Sequence, residues 1–486
     1  MEKRIYDSVF IGGRWVRPHA SATIDVVSPT TEEVIGQTPD CGAADINAAV
    51  AAAAAVPASA WARAEPAQRA EALERFASEI EARTGELDEL VSTEMGMPIT
   101  LARLANPVAS MLLRYYANAA RELDWEKTQD GAITPTVVRQ EPVGVVGIIV
   151  PWNFPISLLF MKLPAALAAG CTVVVKPSPE TVLSANLIAE AAQRAGLPDG
   201  VINIVPGGTE AGSALVEHAG VAKIAFTGST VVGRRIAEAC GRQLKPVLLE
   251  LGGKSAGIIL DDADLFSVAE QFIGATLVNS GQTCYASTRL LAPRARYSEI
   301  VDTITALASS LTLGDPLDEA THLGPLVSKR QRERVLAYIE AGRSDGARLT
   351  TGGGCPPELE HGWFVQPTVF ADADNQMTIA REEIFGPVLT VIPYDDVDDA
   401  VSIANDSEFG LAGTVWTTDS QRAMDVARRI KTGTFGINGY LMDMWAPFGG
   451  VKASGLGREL GPEGLAGYLD TKSIYQPPSA SANSAG

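Results

Sequence analysis

Short apolar runs alternate with helix-length segments along the chain from residue 143 onward. The run VGVVGIIV at 143–150 precedes a helix predicted over about 156–169, and CTVVV at 171–175 precedes one over about 180–195. The alternation continues with apolar runs at 201–205, 223–226 and 246–250, and with helical segments at 209–218 and 229–241. Apolar, β-branched runs that alternate with helices predict a parallel sheet covered by helices on both faces.

A second series of the same kind begins near Ser255. SAGIIL at 255–260 precedes a helix predicted over about 263–279, and TRLLAP at 288–293 precedes one over about 296–310. Further segments lie near 365–370, 388–394 and 412–417, whereas the region 43–126 is predicted to be helical. The predicted fold class is therefore α/β, with two such domains that join near residues 250–254.

The stretch 142–161 is long enough to span a membrane, but its glycines and prolines are not typical of a membrane helix. Residues 142–161 carry no charge over twenty positions, which is enough to cross a bilayer in principle. Glycines and prolines interrupt the stretch, and each proline removes a backbone donor and fixes φ. A buried strand, a turn and a helix are therefore predicted here, and no membrane is expected as a partner.

The net charge of the chain restricts the classes of binding partner that can be expected. The 486 residues carry a formal net charge of −19, and the acidic residues are spread along the chain. Nucleic acid or an anionic membrane would require a basic face, so neither is expected, and an acidic cytoplasmic protein is the simpler interpretation. The N-terminal MEKRIYDSVF lacks the apolar centre of a signal peptide, and the small polar tail at 477–486 is expected to be disordered.

Few cysteines and histidines are available for chemistry. The five cysteines, at positions 41, 171, 240, 284 and 355, form no CxxC pair, which is typical of a reducing compartment. The four histidines are isolated from one another and from the cysteines, so no metal site is expected. A nucleophilic cysteine in this chain would therefore need a base other than a neighbouring histidine.

Cys284 and Glu250 are the candidates for a nucleophile and its base. Cys284 ends the tetrapeptide GQTC, and as a nucleophile it would need a base or a lowered pKa, although most such cysteines only fill the core. Glu250 ends an apolar run, where open α/β sheets place their ligand sites. Partial burial would raise its pKa towards neutrality and suit it to activating water, although a glutamate capping a surface turn shows the same pattern.

Polar and glycine residues follow other predicted strands. In PWNFP two prolines fix Asn153, whose amide can donate to a developing oxyanion, although a rigid interdomain turn is the alternative. In FTGST, with Gly233 shortly afterwards, glycine lets the backbone approach a pyrophosphate at a helix N-terminus. Lys176, ahead of Pro177 and Ser178, can face a ribose or phosphate. Taken alone, each feature also fits a purely structural role.

Seven motifs occur in the order that is typical of the aldehyde dehydrogenase superfamily: PWNFP, KPSPET, FTGST, ELGGK, GQTC, EEIFGP at 382–387 and PFGGVKASGLGRE at 447–459. The chain resembles this family over essentially its whole length, from GGRWV at 12–16 to YLDTKSIYQ at 468–476. The interval of 34 residues between Glu250 and Cys284 is also similar to that of the family.

The resemblance implies a mechanism. Cys284 would attack an aldehyde, and Asn153 with the backbone N–H of Cys284 would form the oxyanion hole. Hydride would pass to a nicotinamide, and Glu250 would activate the water that hydrolyses the resulting thioester. Lys162 resembles a family lysine that supports the active site. Glu250 favours release of free acid over transfer to CoA, because CoA-acylating relatives often lack such a residue.

The resemblance also implies a cofactor, NAD, with NADP possible. Lys176 is similar to the ligand of the adenosine ribose and Glu383 to the ligand of the nicotinamide ribose. The other expected cofactor contacts are Trp152, Ser178, Gly228, Ser229, Gly233, Leu251 and Phe385. NAD-preferring members commonly carry a glutamate three residues after the lysine, whereas this chain has Pro179, with glutamate displaced to Glu180. Loss of that carboxylate should weaken discrimination against NADP.

The residues expected around Cys284 indicate the class of substrate, and the cofactor motifs separate the competing functions. The residues expected to line the substrate tunnel are mostly large and apolar, which predicts a hydrophobic aliphatic or aromatic aldehyde: Phe154, Leu158, Met161, Tyr285 and the loop 439–445, where Asp443 is the polar exception. A thiol esterase or acyl hydrolase would not need FTGST, Lys176 or Glu383. A binding protein on the same fold would be expected to lack Cys284 or Glu250.

By the same resemblance the architecture comprises a Rossmann-like cofactor-binding domain (1–123 and 143–250), a catalytic α/β domain (251–450) and a small β oligomerisation arm (124–142 and 468–478). Such a two-segment arm leaves sheet edges unpaired, so a homodimer or homotetramer is expected.

Overall fold

The computed structural model describes residues 3–477. Apart from its first residue, the tail predicted to be disordered lies outside this range, as do the first two residues of the N-terminal segment. Within the described residues, no helix combines the length and the apolar character needed to cross a bilayer. The stretch 142–161 instead contains the strand Val145–Ile149 and the helix Pro155–Phe160, as predicted.

The first predicted series forms the centre of an eight-stranded sheet. All five predicted runs are strands, and neighbouring members of this set pair in parallel. Antiparallel strands that the sequence pattern did not identify extend both edges. In spatial order the strands are Gly455–Leu456, Val247–Glu250, Lys223–Thr227, Val145–Ile149, Thr172–Lys176, Ile202–Ile204, Val9–Ile11 and Arg14–Val16.

Helices cover both faces of this sheet. Val146 and Ile148 belong to one apolar cluster, whereas Val145 and Ile149 on the same strand belong to another. Because successive side chains point to opposite faces of a strand, both faces are buried, and this confirms the predicted layering. The helices are Ala43–Ala54, Pro66–Glu81, Thr84–Met95, Ile99–Ala105, Val108–Glu122, Pro155–Phe160, Leu163–Ala169, Val182–Arg194, Thr209–Glu217 and Thr230–Arg242.

The single helix predicted over 156–169 is wrong. The structure has two helices, Pro155–Phe160 and Leu163–Ala169, which are interrupted at Met161 and Lys162. Pro164 lies in the first turn of the second helix, where a missing N–H is harmless, but it cannot continue a helix that began earlier. The interruption leaves Lys162 between the two helices and fully buried.

The second series forms a seven-stranded sheet, parallel except at the edge strand Arg348–Thr351. In spatial order the strands are Arg348–Thr351, Thr368–Ala371, Val388–Tyr394, Arg289–Pro293, Ala256–Ile259, Gly413–Trp416 and Gly436–Ile437. The helices of the C-terminal half are Ala269–Thr276, Tyr297–Ser309, Lys329–Ser344, Thr378–Arg381, Val397–Asn405, Ser420–Ala427 and Gly461–Ala466. The α/β class predicted from the sequence is confirmed.

The helix predicted over 263–279 is shorter in the structure, where it spans Ala269–Thr276. At its start, the Asp264 carboxylate accepts hydrogen bonds from the backbone N–H groups of Phe266 and Ser267, which stabilises a turn in place of helix. Past its end, Asn279, Ser280 and Gly281 adopt positive φ angles of 54°, 55° and 71°. This left-handed segment lies beyond the helix and ends at Gly281, three residues before Cys284.

Two further sheets have three strands each. One is made of Arg4–Ile5, Val34–Pro39 and Thr23–Val27, and the other of Leu469–Tyr475, Thr136–Pro142 and Glu126–Gln129. In the second sheet, Leu469 pairs with Pro142 and Tyr475 with Thr136 in an antiparallel register.

The predicted domain limits stay a prediction. The strand Gly455–Leu456 shows that residues beyond 450 return to the first sheet.

Candidate active site

A cleft of about 630 Å³ brings together residues that are distant in the sequence. The predicted site residues that line it are Trp152, Asn153, Gly228, Ser229, Leu251, Cys284, Glu383 and Phe385. Five other predicted residues do not line the cleft itself: Lys162, Lys176, Ser178, Gly233 and Glu250. Members of both sets follow strands of the first sheet, whereas Cys284, Glu383 and Phe385 come from the part of the chain that forms the second sheet. The sequence motifs therefore converge on one region.

The segment that carries Cys284 packs closely against two other motifs. A Cβ atom at Gly253 of ELGGK would lie 2.4 Å from the carbonyl oxygen of Cys284, and one at Gly281 would lie 2.1 Å from that of Gly386. Only glycine fits such approaches. Burial, together with the carboxylates of Glu383 and Glu250, raises the pKa of the Cys284 thiol to about 12. The thiol is therefore protonated at neutral pH, and a base must remove its proton before it can attack.

Asn153 is held by a group of buried amides. Its Nδ2 donates to the carbonyl oxygen of Gln282 at 2.9 Å, and Asn279 Nδ2 donates to the carbonyl oxygen of Asn153 at 2.8 Å. Gln282 in turn accepts a hydrogen bond from the N–H of Val327 at 3.0 Å. These bonds fix PWNFP against the segment that precedes Cys284. A primary amide has two N–H donors, and the bond to Gln282 uses one, which leaves the other for a substrate oxygen.

Glu250 is a buried carboxylate at a strand end. It is 3% exposed, and its carboxylate oxygens accept no well-formed hydrogen bond from residues 3–477, although the backbone N–H of Gly450 acts on its pKa. Burial and the carboxylate of Glu459 raise its pKa well above the usual value, while Lys162 and Arg458 oppose that rise. Gly449 has a φ of 151°, and a Cβ atom there would lie 2.5 Å from Glu250 Oε1 and 2.9 Å from the carbonyl oxygen of Gly457, so a glycine is needed beside the carboxylate. A carboxyl group in this environment is suited to general base chemistry near neutral pH.

Glu459 is a candidate functional residue that the sequence reasoning missed. It forms an ion pair with Lys162, and both side chains are buried, at 1% and 0% exposure. Lys162 also donates a short hydrogen bond to the hydroxyl of Thr227. Glu459 ends the glycine-rich motif PFGGVKASGLGRE, and a charged residue in such a segment is ordinarily expected on the surface. The signal that could have found it was Lys162, whose position in an apolar stretch requires a buried partner.

One wall of the cleft is suited to phosphate groups. Ser229 caps the helix Thr230–Arg242, with its hydroxyl accepting from the N–H of Val232 at 3.4 Å. A Cβ atom at Gly233 would lie 2.4 Å from the side chain of Leu251, so glycine allows the helix to pack against the ELGGK segment. Free N–H groups at a helix N-terminus attract anions. The cleft is also lined by three cations: Arg234, Arg330 and Arg334.

Lys176 ends the strand Thr172–Lys176, and Ser178 follows two residues later. Lys176 Nζ donates to the carbonyl oxygens of Pro177, at 2.8 Å, and Gly207, at 3.0 Å, and burial lowers its pKa to about 8. The Ser178 hydroxyl donates to Glu180 at 2.5 Å, and Glu180 pairs with Arg330 at 3.5 Å. The displaced glutamate is therefore engaged by a serine and an arginine.

Glu383 and Phe385 form the opposite wall. Glu383 Oε1 accepts a hydrogen bond from the N–H of Gly253 at 2.9 Å, and burial raises the pKa of this carboxyl. The Phe385 ring meets Trp152 edge to face, with centroids 5.3 Å apart. Phe385 has a φ of 62°, and Gln331 donates to its carbonyl oxygen at 2.8 Å. The left-handed backbone at a phenylalanine is therefore held by a side-chain hydrogen bond.

Aromatic pairs occupy the region predicted to receive the substrate. Tyr285, next to Cys284, stacks on Tyr440 with ring centroids 4.3 Å apart. Trp445 stacks on Tyr115 from the helix Val108–Glu122 at 4.5 Å. Asp443, the polar exception in this loop, is exposed, and its carboxylate accepts from the N–H of Trp445 at 2.9 Å. Within residues 3–477, no group of three or more histidine, cysteine, aspartate or glutamate side chains could hold a metal ion.

Comparison with known proteins identifies the family. The profile described as "Aldehyde dehydrogenase family" matches residues 15–474. The chain belongs to the aldehyde dehydrogenase family. As an aldehyde dehydrogenase it is an oxidoreductase that converts aldehydes to carboxylic acids with a nicotinamide dinucleotide. The resemblance drawn from the seven motifs is thereby confirmed.

Individual relatives share almost the whole chain. A geranial dehydrogenase of Castellaniella defragrans is 52% identical over 473 residues, which cover 97% of this chain and 98% of that protein. The crystal structure of a Mycobacterium tuberculosis aldehyde dehydrogenase with NAD+ is 46% identical, covers 98% of this chain and 99% of its own, and superposes with a TM-score of 0.95.

A second solved structure is a Pseudomonas syringae aldehyde dehydrogenase C mutant in complex with NAD+ and octanal. It is 41% identical, the match covers 96% of each chain, and the TM-score is 0.93. These likenesses confirm the α/β fold and the predicted enzyme class.

Proposed function

We propose that this aldehyde dehydrogenase oxidises a hydrophobic aldehyde to the free acid, with Cys284 as nucleophile and Glu250 as base. The observation that carries the proposal is the buried carboxylate of Glu250, which accepts no well-formed hydrogen bond from the described residues and whose charge acts on the Cys284 thiol. A protonated thiol and a carboxylate of raised pKa form a matched pair for proton transfer.

The steps follow from the protonation states. Glu250 accepts the proton of the Cys284 thiol, and the thiolate forms a C–S bond to the aldehyde carbon. The second N–H of Asn153 and the backbone N–H of Cys284 hold the oxyanion of the thiohemiacetal. A bound nicotinamide supplies the hydride acceptor. Glu250 then releases the first proton to solvent and takes a second one from water, whose oxygen attacks the thioester. The C–S bond breaks, the proton on Glu250 passes to the departing thiolate, and the free acid leaves.

Lys162 and Glu459 support this role of Glu250 without touching the reacting atoms. The ammonium group lowers the pKa of Glu250, whereas the Glu459 carboxylate raises it. Loss of either member would leave an unpaired buried charge beside the base, which is strongly unfavourable. We therefore assign the pair as positioning residues that set the charge around Glu250.

The residues around the cleft fit a dinucleotide. The helix N-terminus at Ser229 and the arginines of the cleft suit a pyrophosphate, and the carboxylate of Glu383 suits ribose hydroxyls. We propose NAD as the main cofactor and NADP as an accepted one. Pro179 provides no carboxylate to repel a 2′-phosphate, and the Glu180 side chain is neutralised in part by Arg330.

The substrate is proposed to be an acyclic hydrophobic aldehyde, of the class of geranial and octanal. The residues predicted to line its path include the buried Leu158 and Met161 and the stacked pair of Tyr285 and Tyr440. Asp443 is engaged with the backbone of its own loop, so it does not argue for a charged substrate. The relatives that act on geranial or hold octanal support the same class.

We further propose a homodimer or homotetramer in the cytoplasm. The strand Leu469–Tyr475 lies at the edge of its three-stranded sheet, and nearly all its residues are exposed, including Ile474 and Tyr475. Such an edge is a template for pairing with another chain. The five cysteines are all free, which is consistent with a reducing compartment.

The decisive test is a spectrophotometric panel of aldehydes, run with NAD and NADP in parallel and with Cys284→Ala as control. Octanal and geranial are expected to reduce the cofactor with a higher kcat/KM than acetaldehyde or a carboxylated aldehyde, and Cys284→Ala to abolish turnover. A preference for a charged aldehyde would overturn the substrate class. Formation of acyl-CoA in place of free acid, when CoA is added, would overturn the hydrolytic step.

A further inference from the structure

A glycine-rich loop of residues 449–458 folds against the carboxylate of Glu250. Phe448 and Glu459 close its base, because the backbone N–H of each donates to the carbonyl oxygen of the other, at 2.7 and 2.8 Å. Within the loop, the strand Gly455–Leu456 pairs with the strand that ends at Glu250. The loop is therefore fixed beside the proposed base both at its closed end and along one strand.

Arg458 holds the two sides of this loop together. Its Nη1 donates to the carbonyl oxygen of Gly450 across the loop, at 2.9 Å, and to that of Gly457, at 2.6 Å. Both acceptors are neutral, and none of the ion pairs among residues 3–477 includes Arg458. The side chain is partly buried, so its charge is neither cancelled by a carboxylate nor fully surrounded by water.

The side chain of Arg458 lies next to that of Glu250. A Cβ atom at Gly449 would lie 2.5 Å from Glu250 Oε1 and 3.1 Å from Arg458 Cδ, so both side chains border the gap that this glycine leaves open. The two groups do not form a direct ion pair. At this range a guanidinium group still attracts a carboxylate through space, and more strongly where one of the two is buried.

Other charges around Glu250 largely cancel. The ionisable groups that act on Glu250, or on which it acts, are Lys162, Cys284, Tyr440, Arg458 and Glu459. Lys162 and Glu459 form a buried ion pair, so their effects on the carboxylate oppose each other. Cys284 and Tyr440 are uncharged near neutral pH, because their pKa values are raised. Among the described residues in this set, Arg458 is the cation that has no carboxylate partner of its own.

We propose that Arg458 is a positioning residue, whose fixed positive charge keeps the Glu250 carboxylate ionised and able to accept a proton near neutral pH. No bond forms or breaks at Arg458. An arginine side chain stays protonated over the whole working range of an enzyme, so its charge is constant. The inference rests on the proposed role of Glu250, and the experiment below tests the two separately.

Hydrolysis of the acyl-enzyme isolates the step that needs ionised Glu250. The full enzyme with NAD, in excess over the best aldehyde of the panel, is quenched in acid at intervals, and mass spectrometry measures the acyl group on Cys284. The hydrolysis rate should fall on the acid side, where Glu250 is protonated. In Arg458→Gln, which keeps an N–H donor but loses the charge, the midpoint of this fall should rise by about half a pH unit or more. Arg458→Lys restores the charge and should restore the midpoint.

Lys452→Gln is the matched control, because Lys452 is a cation of the same loop that donates to two backbone carbonyl oxygens, of Asn405 and Ser407, both at 3.0 Å. Its midpoint should equal that of the unmodified enzyme. Equal midpoints for Arg458→Gln and Lys452→Gln would overturn the inference, and so would equal upward shifts for Arg458→Gln and Arg458→Lys.

Glu250→Gln separates this inference from the proposed function. Slow hydrolysis without a fall on the acid side is expected if Glu250 is the base, whatever the result at Arg458. Hydrolysis as fast as in the unmodified enzyme would overturn the assignment of Glu250 and, with it, the role of Arg458.

Discussion

At the scale of single residues, the environment of a side chain decides its chemistry more than its type does. All five cysteines of the chain are free, but Cys284 alone among them lines the cleft. Its raised pKa means that the chain does not activate it through a cationic neighbour. The proposed nucleophile therefore depends on a base, and burial raises the pKa of the proposed base, Glu250.

Replacing Glu250 tests the base. Glu250→Gln is expected to lower kcat by about 100- to 10,000-fold, within the range typical of a lost general base, while NAD binding is retained. In the unmodified enzyme kcat should fall as the pH falls, because the raised pKa of Glu250 leaves it protonated on the acid side. Pre-steady-state absorbance and a pH profile measure both effects. An unchanged kcat and an unchanged profile in the variant would contradict the assignment.

Substitution of Pro179 tests how the enzyme chooses between NAD and NADP. The enzyme is expected to show a ratio of kcat/KM for NAD over NADP below about 1,000, because Pro179 places no carboxylate where it would repel a 2′-phosphate. Pro179→Glu should raise this ratio by about tenfold or more, because it restores a carboxylate at that position. Pro179→Gln is the neutral control of equal size. A ratio that is already above 1,000 in the unmodified enzyme would refute dual use.

At the scale of helices and strands, buried side chains from distant elements fix where each element begins and ends. Glu94, on the helix Thr84–Met95, accepts hydrogen bonds from the N–H groups of Leu183 at 3.0 Å and Ser184 at 3.3 Å. It thereby caps the helix Val182–Arg194, which follows the segment proposed to hold the adenosine ribose. Burial raises the pKa of Glu94 to about 8.

This pKa predicts a pH dependence of stability. Between the unfolded pKa near 4.5 and the folded value near 8, the native state holds a proton that the unfolded state has released. The contribution of Glu94 is therefore fully present below pH 4.5 and is lost as the pH rises to 8. Glu94→Gln removes this ionisation, so its stability relative to the unmodified enzyme should increase from pH 5 to pH 8. Denaturant unfolding at several pH values measures the trend, and a flat difference would contradict it.

The elements also show what the sequence could predict. The apolar strands of both series could be predicted because a buried parallel strand is apolar on both faces. Its own residues are therefore enough to indicate it. The interruption at Lys162 was missed because Pro164 is as acceptable at a helix start as it is harmful inside one. Glu459 was missed because its partner, Lys162, lies in a distant part of the chain. The pattern of neighbouring residues does not indicate a contact over that separation.

At the scale of the whole molecule, the exposed sheet edge predicts association. Ser473→Pro places a residue without an N–H in the strand Leu469–Tyr475, and proline is excluded from paired strands. The variant is expected to sediment as a smaller species than the unmodified enzyme, with its near-ultraviolet circular dichroism retained. Lys472→Arg, on the same strand, is the control that keeps every N–H. Equal sedimentation of both variants as the full oligomer would contradict a role of this edge.

The ion pair between Lys162 and Glu459 has a consequence for biosynthesis. The lysine lies in the first sheet domain, whereas its carboxylate is supplied by a segment close to the end of the chain. A nascent chain that has not yet emerged past Glu459 would bury an unpaired ammonium group, which strongly disfavours the closed structure. The first sheet also lacks its edge strand Gly455–Leu456 until then. An incomplete chain is therefore expected to stay open around Cys284 until the segment with Glu459 has been made.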